Sequence, residues 1–146
     1  MRVLTMGTFD IIHYGHFKIL KMCRELAGDG EVVVGLNTDG FILRYRHKLP
    51  VMRYEEREKN LVLLPWVDRI VPNGQPRGSA KNIIKAVGPD LCVISSDWSP
   101  WGPGKKDYLK QLGITQAFLD ENYISLVFVP HTWGISSTQI KFNARS

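Results

Sequence analysis

Two histidines three positions apart, His13 and His16, stand in the run Gly7-Thr8-Phe9-Asp10-Ile11-Ile12-His13-Tyr14-Gly15-His16. At the start of a helix, side chains three apart leave from one face, so both imidazoles point the same way. The free N–H groups of a helix start favour an anion, and two ring N–H donors aimed at one point suit a phosphate. Gly7 lets the backbone turn sharply and approach a ligand. The plainer reading of one such histidine is a solvated or capping side chain; the pair beside two glycines argues against it. A zinc site is the other chemical reading, because histidines three apart can share a metal. Its third ligand would have to be Asp10 or another loop, and with no HExxH and no cysteine nearby the expectation is no metal held by protein ligands. Four further groups invite attention. Arg44-Tyr45-Arg46-His47-Lys48 is a basic loop with no acid, either a solvated face or an anion site. Arg57, inside Tyr54-Glu55-Glu56-Arg57-Glu58, reads equally as a helix-surface ion pair or as a group turned back on a substrate. Ser95-Ser96-Asp97-Trp98-Ser99-Pro100-Trp101-Gly102-Pro103-Gly104-Lys105-Lys106 reads as a lid, a base-stacking wall or a loop packed on the body. Ser136-Ser137-Thr138 reads as a helix N-cap or as hydroxyls offered to a phosphate.

These groups need elements to place them. Val3–Met6, Glu31–Leu36, Val67–Val71, Leu91–Ile94 and Ser125–Val129 are short apolar runs that read as buried strands. The runs at 67–71 and 125–129 end at Pro72 and Pro130. Helical patterns fall between them, from about Gly15 to Ala27, over Arg53–Leu64, over Ser79–Val87 before Gly88-Pro89, and over Lys106–Leu112; a last helix opens at Ser136. Continuous apolar strands alternating with helices predict an α/β fold, a single Rossmann-like domain over residues 1–146, its parallel sheet covered by helices on both faces. Ligands of such sheets bind beyond the carboxyl ends of the strands, which is where the histidine run, the basic run and the tryptophan loop all fall.

Composition sets bounds on the function. The 146 residues carry 19 Lys and Arg against 14 Asp and Glu, a net charge of +5. That excess suits an anionic partner without choosing among nucleic acid, membrane and phosphorylated small molecule. The apolar stretches are far too short to span a bilayer. The N-terminus runs straight into the histidine motif, against a cleaved signal peptide. Cys23 and Cys92 stand alone and read as buried thiols in a reducing cytoplasm.

Gly7-Thr8-Phe9-Asp10 with His13-Tyr14-Gly15-His16 resembles the GxFDxxHxGH signature of the cytidylyltransferase-type nucleotidyltransferases, and Gly134-Ile135-Ser136-Ser137-Thr138-Gln139-Ile140-Lys141 resembles their ISSTxIK/R signature. Asn37-Thr38-Asp39-Gly40-Phe41, Tyr54-Glu55-Glu56-Arg57, Val67-Asp68 and Asp97-Trp98 are similar to runs of the small glycerol-3-phosphate cytidylyltransferases, so the resemblance covers essentially the whole chain. It implies transfer of CMP from CTP to a phosphorylated small alcohol such as glycerol 3-phosphate. The acceptor oxygen attacks the α-phosphorus, pyrophosphate leaves, and Mg²⁺ bridges triphosphate oxygens with few protein ligands. It places His16 near the α-phosphate and bridging oxygen and His13 on the triphosphate. Gly7, Thr8, Phe9, Arg44, Asp97, Trp98, His131, Thr132, Ser136, Ser137 and Thr138 fall to the nucleotide, and Asp10, Asp39 and Arg57 to the acceptor. The family uses a lysine pair on phosphates where this chain has Arg44, Arg46 and Lys48; Arg46 is the first choice for the catalytic cation and Lys48 the second. His131 replaces an arginine, which predicts triphosphate binding more sensitive to pH. The family often forms dimers, so a homodimer is among the expectations.

CTP rests on the resemblance alone. An adenylyltransferase using ATP on a sugar phosphate or flavin mononucleotide shares the first signature. A basic single-strand-binding module is the alternative of another class, and a relative that binds nucleotide without catalysis is a third. A strand binder leaves the paired histidines unexplained, so no nucleic acid and no membrane are expected among the partners.

Overall fold

The computed structural model describes residues 1–96 and 105–130. Five parallel strands, β1 (Val3–Gly7), β2 (Val32–Asn37), β3 (Arg69–Asn73), β4 (Leu91–Ser96) and β5 (Ser125–Pro130), form one sheet in the order β3-β2-β1-β4-β5. The first strand of the chain is therefore central, and the strand order reverses between β1 and β4. Every residue of β2 is buried, as a strand covered on both faces requires.

The alternation of side chains divides the core. Leu4, Val33 and Cys92 face one side, where α4 (Lys81–Val87), α5 (Lys105–Leu112) and α6 (Gln116–Glu121) pack through Ile84, Leu109, Phe118 and Leu119. Val3, Val32, Leu91 and Val93 face the other, against Cys23 and Ala27 of α1 (Tyr14–Ala27). Farther along that face Val34 and Leu36 meet Leu20 of α1 and Leu61 of α3 (Tyr54–Val62). The Rossmann-like α/β arrangement is thus as expected, with helices on both faces. Burial pushes both thiols, Cys23 and Cys92, up to about 12. Asp68 accepts from the Val32 N–H at 2.7 Å and from Arg24 at 2.7 Å, and these bonds, the backbone one foremost, hold its carboxyl below the ordinary range. No helix among the described residues is long and apolar enough to cross a membrane.

Four of the differences from the sequence reading have a local physical cause. The basic run is no loop through its first three residues: Arg44, Tyr45 and Arg46 form the last turn of α2 (Asp39–Arg46). Thr38 caps this helix by accepting from the Phe41 N–H, and Asp39 in the first turn with Arg44 and Arg46 in the last complement its dipole. β3 begins at Arg69, not Val67, and runs through Pro72 to Asn73; as an edge strand paired only with β2 it has one side on which a proline costs no ladder bond. α4 begins at Lys81, not Ser79, because the Ser79 hydroxyl donates to Gly113 O and accepts from Lys81 N. α6 has no counterpart in the sequence reading; Thr115 caps it on the Phe118 N–H. The helix expected from Ser136 lies outside the described residues.

Candidate functional site

At the carboxyl ends of the strands lies a cavity of about 660 Å³. Its walls come from the end of β1 and the start of α1, from α2 and the segment after it, and from Asn73, Gln75, Ile94, Gln111 and Leu112. β1 ends at Gly7, where a Cβ would lie 2.9 Å from the ring of Phe9. Phe9 takes a left-handed φ of 49° and is buried, its ring 5.1 Å from that of His16. The chain thus folds back tightly between β1 and α1, which fixes the start of the helix close to the strand end.

His13 is the N-cap of α1: its Nδ1 accepts from the Gly15 N–H at 3.1 Å, while His16 Nδ1 accepts from the His13 N–H at 3.2 Å. This reciprocal capping box satisfies two helix-start donors. It also fixes the tautomers. With each Nδ1 accepting, a neutral ring carries its proton on Nε2. Capping and phosphate donation therefore use different atoms of the same rings, and the two readings of the histidines do not compete. The rings lie 4.0 Å apart, and both residues line the cavity.

The three cations separate. Arg46 and Lys48 line the cavity, whereas Arg44 lies outside its lining and donates to the Gly74 carbonyl. His47 ends α2 in the left-handed region, with φ 60°, and so turns the chain from Arg46 toward Lys48. Thr8 and Phe9 line the cavity beside the histidines.

The residues assigned to the acceptor are committed to the protein itself. Asp10 accepts from the Val51 and Met52 N–H groups, each at 2.8 Å, and so pins the segment after α2, which lines the cavity. Arg57 is neither a surface ion pair nor open to a substrate: its side chain has no exposure. Its guanidinium donates to the carbonyls of Met52 (3.0 Å), Thr8 (2.8 Å) and Asn37 (2.8 Å) and to the Asp39 carboxylate (2.6 Å). Asp39 also accepts from the Tyr54 N–H. Arg57 therefore ties the ends of β1 and β2 to α2 and α3. A planar fork with five donors can bridge four acceptors in this way.

Sequence reasoning missed a polar ladder across three strand ends. Asn73 Nδ2 donates to Asn37 Oδ1 at 3.0 Å, Asn37 Nδ2 donates to Thr8 Oγ1 at 3.1 Å, and Thr8 Oγ1 meets the Tyr45 hydroxyl at 3.3 Å. The available signal was an asparagine closing each of two strands, which stand opposite one another in register. Asp97, Trp98, His131, Thr132, Ser136, Ser137 and Thr138 lie outside the described residues. Among the described residues no group of three His, Cys, Asp or Glu is placed to hold a metal ion.

Residues 4–142 match the family model described as cytidylyltransferase-like. The chain is 36% identical over 140 residues to a glycerol-3-phosphate cytidylyltransferase of Bacillus spizizenii, covering 96% of this chain and 94% of the relative. It is 34% identical over 112 residues to an FAD synthase of Korarchaeum cryptofilum, covering 75% and 74%. Among solved structures, the lipopolysaccharide core biosynthesis protein of Thermoplasma volcanium superposes with a TM-score of 0.66 at 26% identity, over 88% of this chain and 95% of that one.

Proposed function

The chain belongs to the cytidylyltransferase-like family, a nucleotidyltransferase enzyme by that membership, and from this premise we propose that it transfers CMP from CTP to a phosphorylated small alcohol of the glycerol 3-phosphate kind. An oxygen of the acceptor's phosphate forms a bond to the α-phosphorus of the triphosphate. The bond from the α-phosphorus to the bridging oxygen breaks, and pyrophosphate leaves with the electron pair. No covalent enzyme intermediate is required, so the work of the protein is positioning and stabilising charge.

The observation that carries this reading is the pair of histidines at the start of α1, each locked by a backbone N–H on Nδ1 and both lining the cavity with Arg46 and Lys48. In the proposal His16 donates from Nε2 to the α-phosphate and bridging oxygen, and His13 donates to the triphosphate on the same side. Backbone N–H groups of Thr8 and Phe9 hold the phosphates beside Gly7. Arg46 and Lys48 neutralise the outer charge; Arg44, turned to Gly74, takes no part. Asp97 and Trp98 are assigned to base and ribose, and His131, Thr132, Ser136, Ser137 and Thr138 to the phosphates. Asp10, Asp39 and Arg57 position the walls instead of touching the acceptor. Mg²⁺, when bound, lowers the charge of the triphosphate. The described cavity offers it little, since both oxygens of Asp10 are held by Val51 and Met52, so it is proposed to enter with the nucleotide.

Membership in an enzyme family displaces the strand-binding alternative. A second nucleotide deserves a place, because the FAD synthase similarity favours ATP as the donor on a flavin mononucleotide or sugar phosphate. Pyrophosphate release measured with each of the four nucleoside triphosphates and a panel of phosphorylated acceptors separates the two. CTP with glycerol 3-phosphate is expected to be the most active pair. Release with ATP and flavin mononucleotide alone selects the second reading, and no release from any pair refutes both.

A further inference from the structure

The polar ladder ends on a buried atom that binds nothing among the described residues. Asn73 is 2% exposed and lines the cavity. Its Nδ2 is used on Asn37, while its Oδ1 is buried and meets no hydrogen-bond donor among the described residues. A buried acceptor left unmade is costly, and its persistence calls for a donor from elsewhere. Asn73 closes β3, two strands from β1 and so about 10 Å away across the sheet. That is the side opposite the β1/β4 reversal, where nucleotides bind in folds of this kind. A donor arriving on that side is one the second substrate can bring.

The chemistry of that donor is constrained by its neighbours. Asn37, Thr8 and Asn73 are neutral, and the nearby carboxylates are engaged: Asp10 by two N–H groups, Asp39 by Arg57 and the Tyr54 N–H. Among the described residues an ammonium group would find no free negative charge, and a phosphate would face a carbonyl oxygen. A neutral hydroxyl fits. We propose that Asn73 Oδ1 accepts a hydrogen bond from a hydroxyl of the acceptor, making Asn73 the residue that selects a polyol phosphate over a plain alkyl phosphate. This rests on the function proposed above and adds the group that reads the acceptor.

The test measures pyrophosphate release with CTP and Mg²⁺. The acceptors are glycerol 3-phosphate, its two single-deoxy analogues (3-hydroxypropyl and 2-hydroxypropyl phosphate) and the two analogues with an amine in place of one hydroxyl (2-amino-3-hydroxypropyl and 3-amino-2-hydroxypropyl phosphate). The wild-type enzyme is expected to lose about 10- to 100-fold in kcat/KM on one deoxy analogue, the range for leaving one buried acceptor unpaired. Asn73→Leu is expected to bring glycerol 3-phosphate down to the level of that analogue, with the KM for CTP within about threefold. Because Leu also strips Asn37 of its donor, Asn73→Asp supplies a gain that a folding defect cannot mimic: its carboxylate should raise use of the amine at the discriminated position relative to glycerol 3-phosphate by about tenfold or more. Wild-type turnover with equal use of all the acceptors, an unchanged preference in Asn73→Leu, or no shift toward the amine in Asn73→Asp overturns the role of Asn73 alone. Absence of wild-type release with every acceptor overturns the proposed function and this inference with it.

Discussion

Replacing Arg57 with Met keeps the stem and deletes the fork. Four hydrogen bonds disappear, three to main-chain carbonyls and one to Asp39. At about 1.5–3 kcal/mol for each bond from a charged donor, independent losses would reach about 6–12 kcal/mol. They are not independent, because one guanidinium makes all four. The Asp39 side chain is also 35% exposed and can rehydrate when its partner goes. Loss of one partner from a buried ion pair, about 3–5 kcal/mol, is the better bound. A domain of ordinary stability, about 5–15 kcal/mol, stays folded but weakened. Arg57→Lys keeps the charge yet donates from one point, so it cannot span four acceptors and should lose about half as much. Asp39→Asn leaves the three carbonyl bonds but takes the counter-charge from a guanidinium with no exposure, and should cost about 3–5 kcal/mol. Urea unfolding followed by circular dichroism gives these values from the midpoint at constant slope. A cost below about 1 kcal/mol for Arg57→Met at unchanged slope would refute the claim that this side chain holds the strand ends together.

His16→Ala is expected to lower kcat by about 10²-fold. His16→Asn can still accept from the His13 N–H, so it should regain about 1 kcal/mol of lost helix-cap stability but none of the rate; recovery of turnover in His16→Asn would remove the Nε2 donor from the mechanism. Arg46→Ala should raise the KM for the nucleotide about tenfold or more, one lost charge-assisted contact, while Arg44→Ala stays within about threefold; steady-state kinetics with the order reversed would contradict the cavity lining. Cys23 and Cys92, with thiols pushed up to about 12, should resist alkylation at pH 8 in the native protein and react only on unfolding, as intact mass against time would show. Asp68 contributes stability that is present above its unfolded-state value and lost as pH falls through its depressed folded value; Asp68→Asn should flatten that acid limb of the urea midpoint.

Strands were legible where burial on both faces made the run continuously apolar, as in Val32–Leu36. The position of the site followed, because a parallel sheet puts its carboxyl ends on one edge and His13 and His16 come just after the first strand. Other features depend on information that no local pattern holds. Charge density hid the helical turn at Arg44–Arg46, although Thr38 was in place to cap it. Six residues, Gln116–Glu121, with Phe118 and Leu119 as their buried pair, are too few to display a period. Arg57 sits in a charged helical stretch that looks like surface, and its burial follows only from the convergence of Thr8, Asn37 and Asp39 around it. Asn37 and Asn73 acquire meaning only when β2 and β3 come into register.

The central place of β1 has a cost in time. The Arg2 N–H bonds the Asp90 carboxylate, 88 positions later, and Val3 pairs with Leu91. At about 5–20 residues per second, the ribosome needs about 4–18 seconds after β1 to deliver its second neighbour. Until then one edge of the most apolar layer is open, and α1 has only a partial floor. Nascent chains of this topology therefore depend on how the cell shelters a half-built sheet, and slow translation between β1 and β4 would lengthen that exposure.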